Sequence, residues 1–209
     1  MGTSNYLDLF LIRHGITDWN KEKRYLGHTD QGVIKSELEL LSDLKFELKK
    51  IHFDQVYTSD LCRCKETLAY LNLTSLASVD SRLRELHFGD WEGKTYQDLK
   101  MDKEYKLWLN SWEDYQIPNG ESFVTFKTRI DLFLEELFHD STQKNKSNIL
   151  VMTHGGVIRY FVSKVLPETA FWDVTINHGN GVKLTMEQKK GEWVCNSLLV
   201  VPFQEKGNG

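Results

Sequence analysis

The chain alternates two apolar rhythms. Leu7-Asp8-Leu9-Phe10-Leu11-Ile12 and Ile149-Leu150-Val151-Met152 are short, nearly continuous apolar runs. That is the pattern of strands buried on both faces of a parallel sheet. Phe53 to Thr58 reads as another short strand. Elsewhere the period lengthens. Ile34, Leu38, Leu41, Leu44, Leu48 and Ile51 fall near helical spacing and predict one amphipathic helix over 34–51. Leu61, Leu68 and Leu71 predict a second helix, with Ser59-Asp60 placed to cap it. Phe123, Phe126, Ile130, Phe133, Leu134, Leu137 and Phe138 mark a third. After a polar loop at Asn145 to Ser147 and the strand at Ile149, an apolar helix is predicted from Val157 to Leu166, closed by Pro167. Two strands, 181–187 and 192–201, joined by a turn at Lys189-Lys190-Gly191, complete the pattern.

Strands alternating with helices predict an α/β chain: a three-layer sandwich with a mainly parallel central sheet covered on both faces. The stretch 88–120 breaks the alternation. It holds Trp91, Trp108 and Trp112 among many charges and ends at the turn signal Pro118-Asn119-Gly120. It reads as a partly helical insertion within a single domain spanning 1–209, with its tryptophans serving packing. Lys206-Gly207-Asn208-Gly209 reads as a frayed tail.

Composition narrows the function. The 209 residues fit one domain. Lys and Arg total 26 against 30 Asp and Glu, a net charge of −4, which excludes a large basic nucleic-acid footprint. The cysteines, Cys62, Cys64 and Cys195, are too few for a disulfide framework and lack zinc-site spacing. They read as small hydrophobes in a reducing compartment. No run of about 18 apolar residues is present to span a membrane. The N-terminus lacks the basic region of a secretory signal, and Tyr6 stands where a myristoylation signal needs Ser or Thr. A cytoplasmic protein is expected.

The chemistry lies where two predicted strands end alike. One runs into Arg13-His14-Gly15 and the other into Thr153-His154-Gly155. In an open α/β sheet, ligands bind outside the carboxyl ends of the strands. If the two strands are parallel neighbours, both imidazoles emerge at one edge. Glycine after each histidine lets the backbone turn and leaves room for a ligand. The second histidine also opens a helix, whose first N–H groups favour an anion. A metal site is the rival, but a guanidinium cannot ligate metal and would oppose the cation. Phosphate suits Arg13, and His can serve as nucleophile or general acid.

These residues resemble the signature of the histidine phosphatase superfamily, which has the phosphoglycerate-mutase-like fold. Arg13-His14-Gly15 is followed by Thr17 and Asn20, by Arg63 within Ser59-Asp60-Leu61-Cys62-Arg63-Cys64, by Glu85 within Arg84-Glu85-Leu86-His87-Phe88-Gly89-Asp90-Trp91-Glu92-Gly93, and by His154. The resemblance runs from about residue 7 to residue 187. It implies that His14 attacks phosphorus and becomes a phosphohistidine. It implies that Arg13, Arg63 and His154 surround the phosphoryl oxygens, with Asn20 as a further polar contact. Glu85 would donate a proton to the leaving oxygen and then serve as base for water. Two arginines and a histidine can supply the charge for in-line transfer, so no cofactor and no metal are expected.

Arg24-Tyr25-Leu26-Gly27-His28-Thr29-Asp30, Phe88 to Glu92 and the segment from Trp108 to Phe123 are similar to the α-ribazole phosphatase branch. That branch removes the 5′-phosphate of α-ribazole phosphate in cobalamin synthesis. The chain departs from the family after Asp30, with Gly32-Val33-Ile34 in place of a Pro-Leu-Thr segment, and at Leu26, where relatives carry a polar side chain. The expected partner is a small-molecule phosphate ester, not nucleic acid or a membrane. Two alternatives stand: a broad-specificity sugar-phosphate or nucleotide phosphatase or a mutase-type enzyme, and a catalytically silent phosphate-binding module. His28, His87 and His178 read as structural.

Overall fold

The computed structural model describes residues 6–144 and 146–203. Asn145 and the predicted frayed tail lie outside them. The elements in chain order are β1 (Tyr6–Arg13), α1 (Asp18–Lys21), α2 (Ser42–Leu48), β2 (Gln55–Thr58), α3 (Cys62–Tyr70), β3 (Ala77–Val79), α4 (Tyr96–Leu99), α5 (Lys103–Asn110), α6 (Phe123–Lys144), β4 (Asn148–Thr153), α7 (Gly155–Val165), β5 (Gly181–Lys189) and β6 (Glu192–Val201). The strands form one sheet in the order β3-β2-β4-β1-β5-β6. The first four are parallel, and β5 and β6 add an antiparallel hairpin at one side.

Because successive side chains on a strand face opposite ways, the apolar runs feed two cores. Leu7, Leu9, Leu11, Ile149 and Val151 join one cluster with Ile130, Phe133 and Leu137 of α6 and Ile158 and Phe161 of α7. Phe10, Ile12, Leu150 and Met152 join another with Leu44 and Leu48 of α2 and Cys64 and Leu68 of α3. The sheet is thus covered on both faces, as the apolar pattern predicts. The segment 88–120 folds as a 3₁₀ turn at Gly89–Trp91, then α4 and α5, and its Trp91, Leu99, Tyr105, Trp108 and Ile117 are buried in the α6–α7 core.

Three local features differ from the sequence reading. The single helix expected over 34–51 is a 3₁₀ segment, Lys35–Leu41, followed by the short α2. Of the predicted face only Leu41, Leu44 and Leu48 are buried, while Leu40 and Phe46 stay exposed, so the apolar face is too short to sustain one long helix. Ser59 and Asp60 do not cap α3 through its Ncap position, which is Leu61. Instead the Cys62 N–H donates to Asp30 Oδ1 (2.6 Å) from a distant loop, which frees Asp60 to pair with Arg84. Strand β3 has three residues with Val79 exposed, too short to register as a pattern. The hairpin turn behaves as read: Lys190 and Gly191 both have positive φ (52° and 91°), the geometry of a two-residue turn joining Lys189 to Glu192.

Candidate active site

Register brings the two histidines together. In the β1–β4 pairing Arg13 sits opposite Thr153, so His14 and His154 leave adjacent strand ends. The His14 N–H donates to the Thr153 carbonyl (3.0 Å), and the ring centroids are 5.0 Å apart at 62°. Both residues are buried, at 4% and 0% exposure. Neither neighbouring glycine needs a positive φ. Gly155 matters for room, because a Cβ there would lie 3.3 Å from the Arg13 guanidinium carbon.

His14 Nδ1 lies 2.7 Å from the Gly15 carbonyl oxygen. A carbonyl only accepts, so Nδ1 carries the proton and Nε2 keeps its lone pair, the state a nucleophile needs. Burial first, then the charges of Arg63 and Arg13, hold His14 well below its ordinary pKa of 6.5, so the ring is neutral. His154 is depressed in the same direction, by burial and then by Arg63.

Arg63 is fully buried on α3. Its Nε donates to His154 Nδ1 (3.3 Å), Nη1 to the Thr29 carbonyl (2.9 Å) and Nη2 to the Gly27 carbonyl (2.6 Å). His154 Nε2 faces Ser59 Oγ at 3.0 Å, so both nitrogens of that ring are engaged within the protein. Arg13 donates from Nη1 to the Ile176 carbonyl (2.7 Å), and its Nε is buried without a partner. Burial lowers the Arg13 pKa to about 10, which leaves it charged near neutrality. Among the described residues neither arginine forms an ion pair. A buried cation without an anion is costly. Arg63, buried, and Arg13, half-buried, act on one imidazole and define a place for a phosphate-like anion.

Glu85 stands at the start of α7. The Gly156 N–H donates to its Oε2 (2.9 Å), and the Leu86 N–H to its Oε1 (3.0 Å). A Cβ on residue 156 would come within 2.3 Å of Oε1, so only glycine leaves this carboxylate in place. Arg129 of α6 secures the segment leading to Glu85. It donates to the carbonyls of Arg82 (2.5 Å), Arg84 (2.7 Å) and Glu85 (2.9 Å) and pairs with Glu121 (2.7 Å). Asn20 accepts the Thr17 N–H through Oδ1 (3.1 Å) as part of the α1 capping box. Its amide nitrogen makes no hydrogen bond among the described residues and is free for a ligand.

Glu85 and Gly156 also line a cavity of about 480 Å³. Its other walls are mostly aromatic, including Tyr25, Phe88, Trp108, Trp112 and Trp172, with Arg159 as a cation. The packing expected of the tryptophans holds for Trp91, which is 2% exposed. Trp108 and Trp112 pack and also face this cavity. His178, read from the sequence as structural, lies 5.5 Å from His14 between ring centroids. It sits in the turn before β5, far from any motif. Its proximity follows from strand pairing alone, which local pattern does not reveal. Among the described residues no three His, Cys, Asp or Glu side chains are grouped to hold a metal, and no helix is long and apolar enough to cross a membrane. The three cysteines are free thiols, with Cys64 in the core.

Comparison with known proteins agrees with this geometry. The sequence profile of the histidine phosphatase superfamily (branch 1) matches residues 9–198. The chain is 30% identical to an adenosylcobalamin/alpha-ribazole phosphatase of Escherichia coli, over 87% of this chain and 91% of that protein. It is 31% identical to phosphoglycerate mutase-like protein 4 of Arabidopsis thaliana, over 78% of this chain and 73% of that one. Among solved structures it is similar to the alpha-ribazole phosphatase from Shigella flexneri, with a TM-score of 0.78 and 27% identity, covering 92% of this chain and 96% of the other. With its sheet order, its paired strand-end histidines and a profile match over nearly its full length, the chain belongs to branch 1 of the histidine phosphatase superfamily.

Proposed function

We propose that this phosphomonoesterase works through a phosphohistidine on His14 and that its substrate is α-ribazole 5′-phosphate. The observation that carries the reading is the lone-pair-bearing Nε2 of His14, with Arg63 and Arg13 close enough to act on that ring and free of ion pairs among the described residues, and with Glu85 lining an aromatic cavity. His14 Nε2 attacks phosphorus in line with the ester oxygen. The N–P bond forms, the P–O bond breaks, and Glu85 gives its proton to the departing alkoxide. Arg13 and Arg63 take the charge on the phosphoryl oxygens, with Asn20 as a further donor and His154 orienting Arg63. Water then enters the leaving-group side. Glu85 takes its proton, the new P–O bond forms, and inorganic phosphate leaves His14. In this scheme the two guanidinium groups do the work that a divalent ion does elsewhere.

A planar base suits walls of Tyr25, Phe88, Trp108 and Trp112, because aromatic faces prefer offset or edge contacts with other rings. The two alpha-ribazole phosphatases among the named relatives support the choice of α-ribazole phosphate. The aromatic walls alone would also admit other aryl or nucleoside phosphates, which is the broad-specificity reading. A panel of α-ribazole phosphate, nucleoside monophosphates, sugar phosphates and 3-phosphoglycerate tests this. The highest kcat/KM is expected for α-ribazole phosphate, and transfer of phosphate from the 3- to the 2-position of 3-phosphoglycerate would defeat the proposal. The H14A variant should release no phosphate from an aryl phosphate and trap no acid-labile phosphoenzyme, and chelators should leave the wild type unchanged. Full turnover by H14A would remove the nucleophile from the scheme.

A further inference from the structure

Three buried side-chain nitrogens among the described residues have no hydrogen-bond partner: Arg13 Nε, His28 Nε2 and His178 Nε2. Buried polar atoms are normally paired, so such an atom near a ligand site points to an acceptor that the protein does not supply. His28 stacks on His87 at 4.5 Å, in the loop whose carbonyls hold Arg63. His178 is closer to the chemistry. Its ring lies 5.5 Å from that of His14, tilted at 56°.

The turn that carries His178 is tied to the end of β1. The Gly179 N–H is shared between the carbonyls of Arg13 (3.2 Å) and His14 (3.1 Å), and the Arg13 N–H donates to the Asn180 carbonyl (2.9 Å). Residue 179 has φ +72°, the left-handed region that glycine adopts freely. The imidazole is therefore held near the nucleophile by the backbone that directly follows it. Burial and then Arg13 depress its pKa from 6.5 to about 3, so near neutrality it is an uncharged ring with one N–H to give.

We propose that His178 is a phosphate-binding residue, its Nε2–H donating to an oxygen of the phosphoryl group carried on His14, beside Arg13 Nε. The inference rests on the phosphohistidine reading of His14. A neutral donor adds a contact to the phosphoryl group without adding a third cation next to a nucleophile that two arginines already depress.

The test uses inorganic phosphate as the probe, with its Kd measured by titration calorimetry on the full chain, and thermal melting to confirm the fold. H178F keeps a ring against His14 but removes the nitrogen; H178A removes both; H178Q restores an N–H. A single hydrogen bond to a charged oxygen predicts that Kd rises about tenfold in H178F and H178A and that H178Q recovers most of the loss. An H178F protein that binds phosphate as the wild type does, while H178A does not, reduces His178 to packing and overturns the inference alone. A wild type that binds no phosphate overturns the phosphatase scheme and this inference with it.

Discussion

At the scale of single residues, the centre is defined by what its polar atoms lack. Arg63 has three acceptors for its five N–H groups and no carboxylate, and Arg13 has an unused Nε. Glu85 is placed by backbone alone, through the Gly156 and Leu86 N–H groups. The position of that carboxylate therefore depends on residue 156 having no side chain. In G156A the new methyl would sit 2.3 Å from Oε1, and the carboxylate must swing away. A displaced general acid predicts a fall in kcat of about a hundredfold, with the phosphate Kd little changed because the arginines are untouched. Steady-state kinetics with an aryl phosphate beside phosphate titration would check this, and wild-type kcat in G156A would show that Glu85 tolerates the shift.

At the scale of elements, the site is assembled by ties between pieces remote in sequence. The loop 27–30 supplies two carbonyls to Arg63 and the carboxylate that meets the Cys62 N–H at the start of α3. Helix α6 reaches the acid-bearing segment through Arg129, whose three carbonyl partners have no alternative once it is lost. Glu121, 9% exposed, would also be left as an unpaired buried charge. Breaking one side of such a pair costs about 3–5 kcal/mol. R129M is thus expected to lower stability in urea by about that amount and to reduce kcat through a loosened Glu85. A loss under about 1 kcal/mol would mean that water replaces Arg129 at those carbonyls.

At the scale of the whole molecule, two buried imidazoles and two half-buried ones give stability a dependence on acid. His14 and His154 are held well below 6.5, His28 at about 4 and His178 at about 3, in each case chiefly by burial. The unfolded chain takes up these protons as pH falls below 6.5, while the native chain does not. Stability present above pH 6.5 is therefore lost progressively as pH falls toward the folded-state values. Each fully buried ring, His14 and His154, contributes a slope of up to about 1.4 kcal/mol per pH unit in that window. The urea midpoint should drop between pH 7 and pH 5, before most carboxylates titrate. A flat midpoint over that range would show that the rings protonate freely in the folded protein. Phosphate should oppose the loss, since it binds only the native state.

The fold was legible in the sequence wherever a signal is local. Continuous apolar runs announced β1 and β4 because a strand buried on both faces needs apolar residues at successive positions. The Lys190-Gly191 turn announced the β5–β6 hairpin. The strand-end Arg13-His14-Gly15 and Thr153-His154-Gly155 were readable because each follows directly on an apolar strand, whereas Arg63 and Glu85, each a plain surface charge by local pattern, were readable only through the family resemblance. What tertiary structure alone decided are the pairings across long separations. These are the register that sets Arg13 opposite Thr153, the Asp30 carboxylate at the start of α3, and the aromatic walls gathered from 25, 88, 108 and 172. His178 belongs with them: only the antiparallel pairing of β5 with β1 carries it to the nucleophile. Side-chain pattern along a chain reports which face is buried, and the partner buried against it is fixed only when distant strands choose their register.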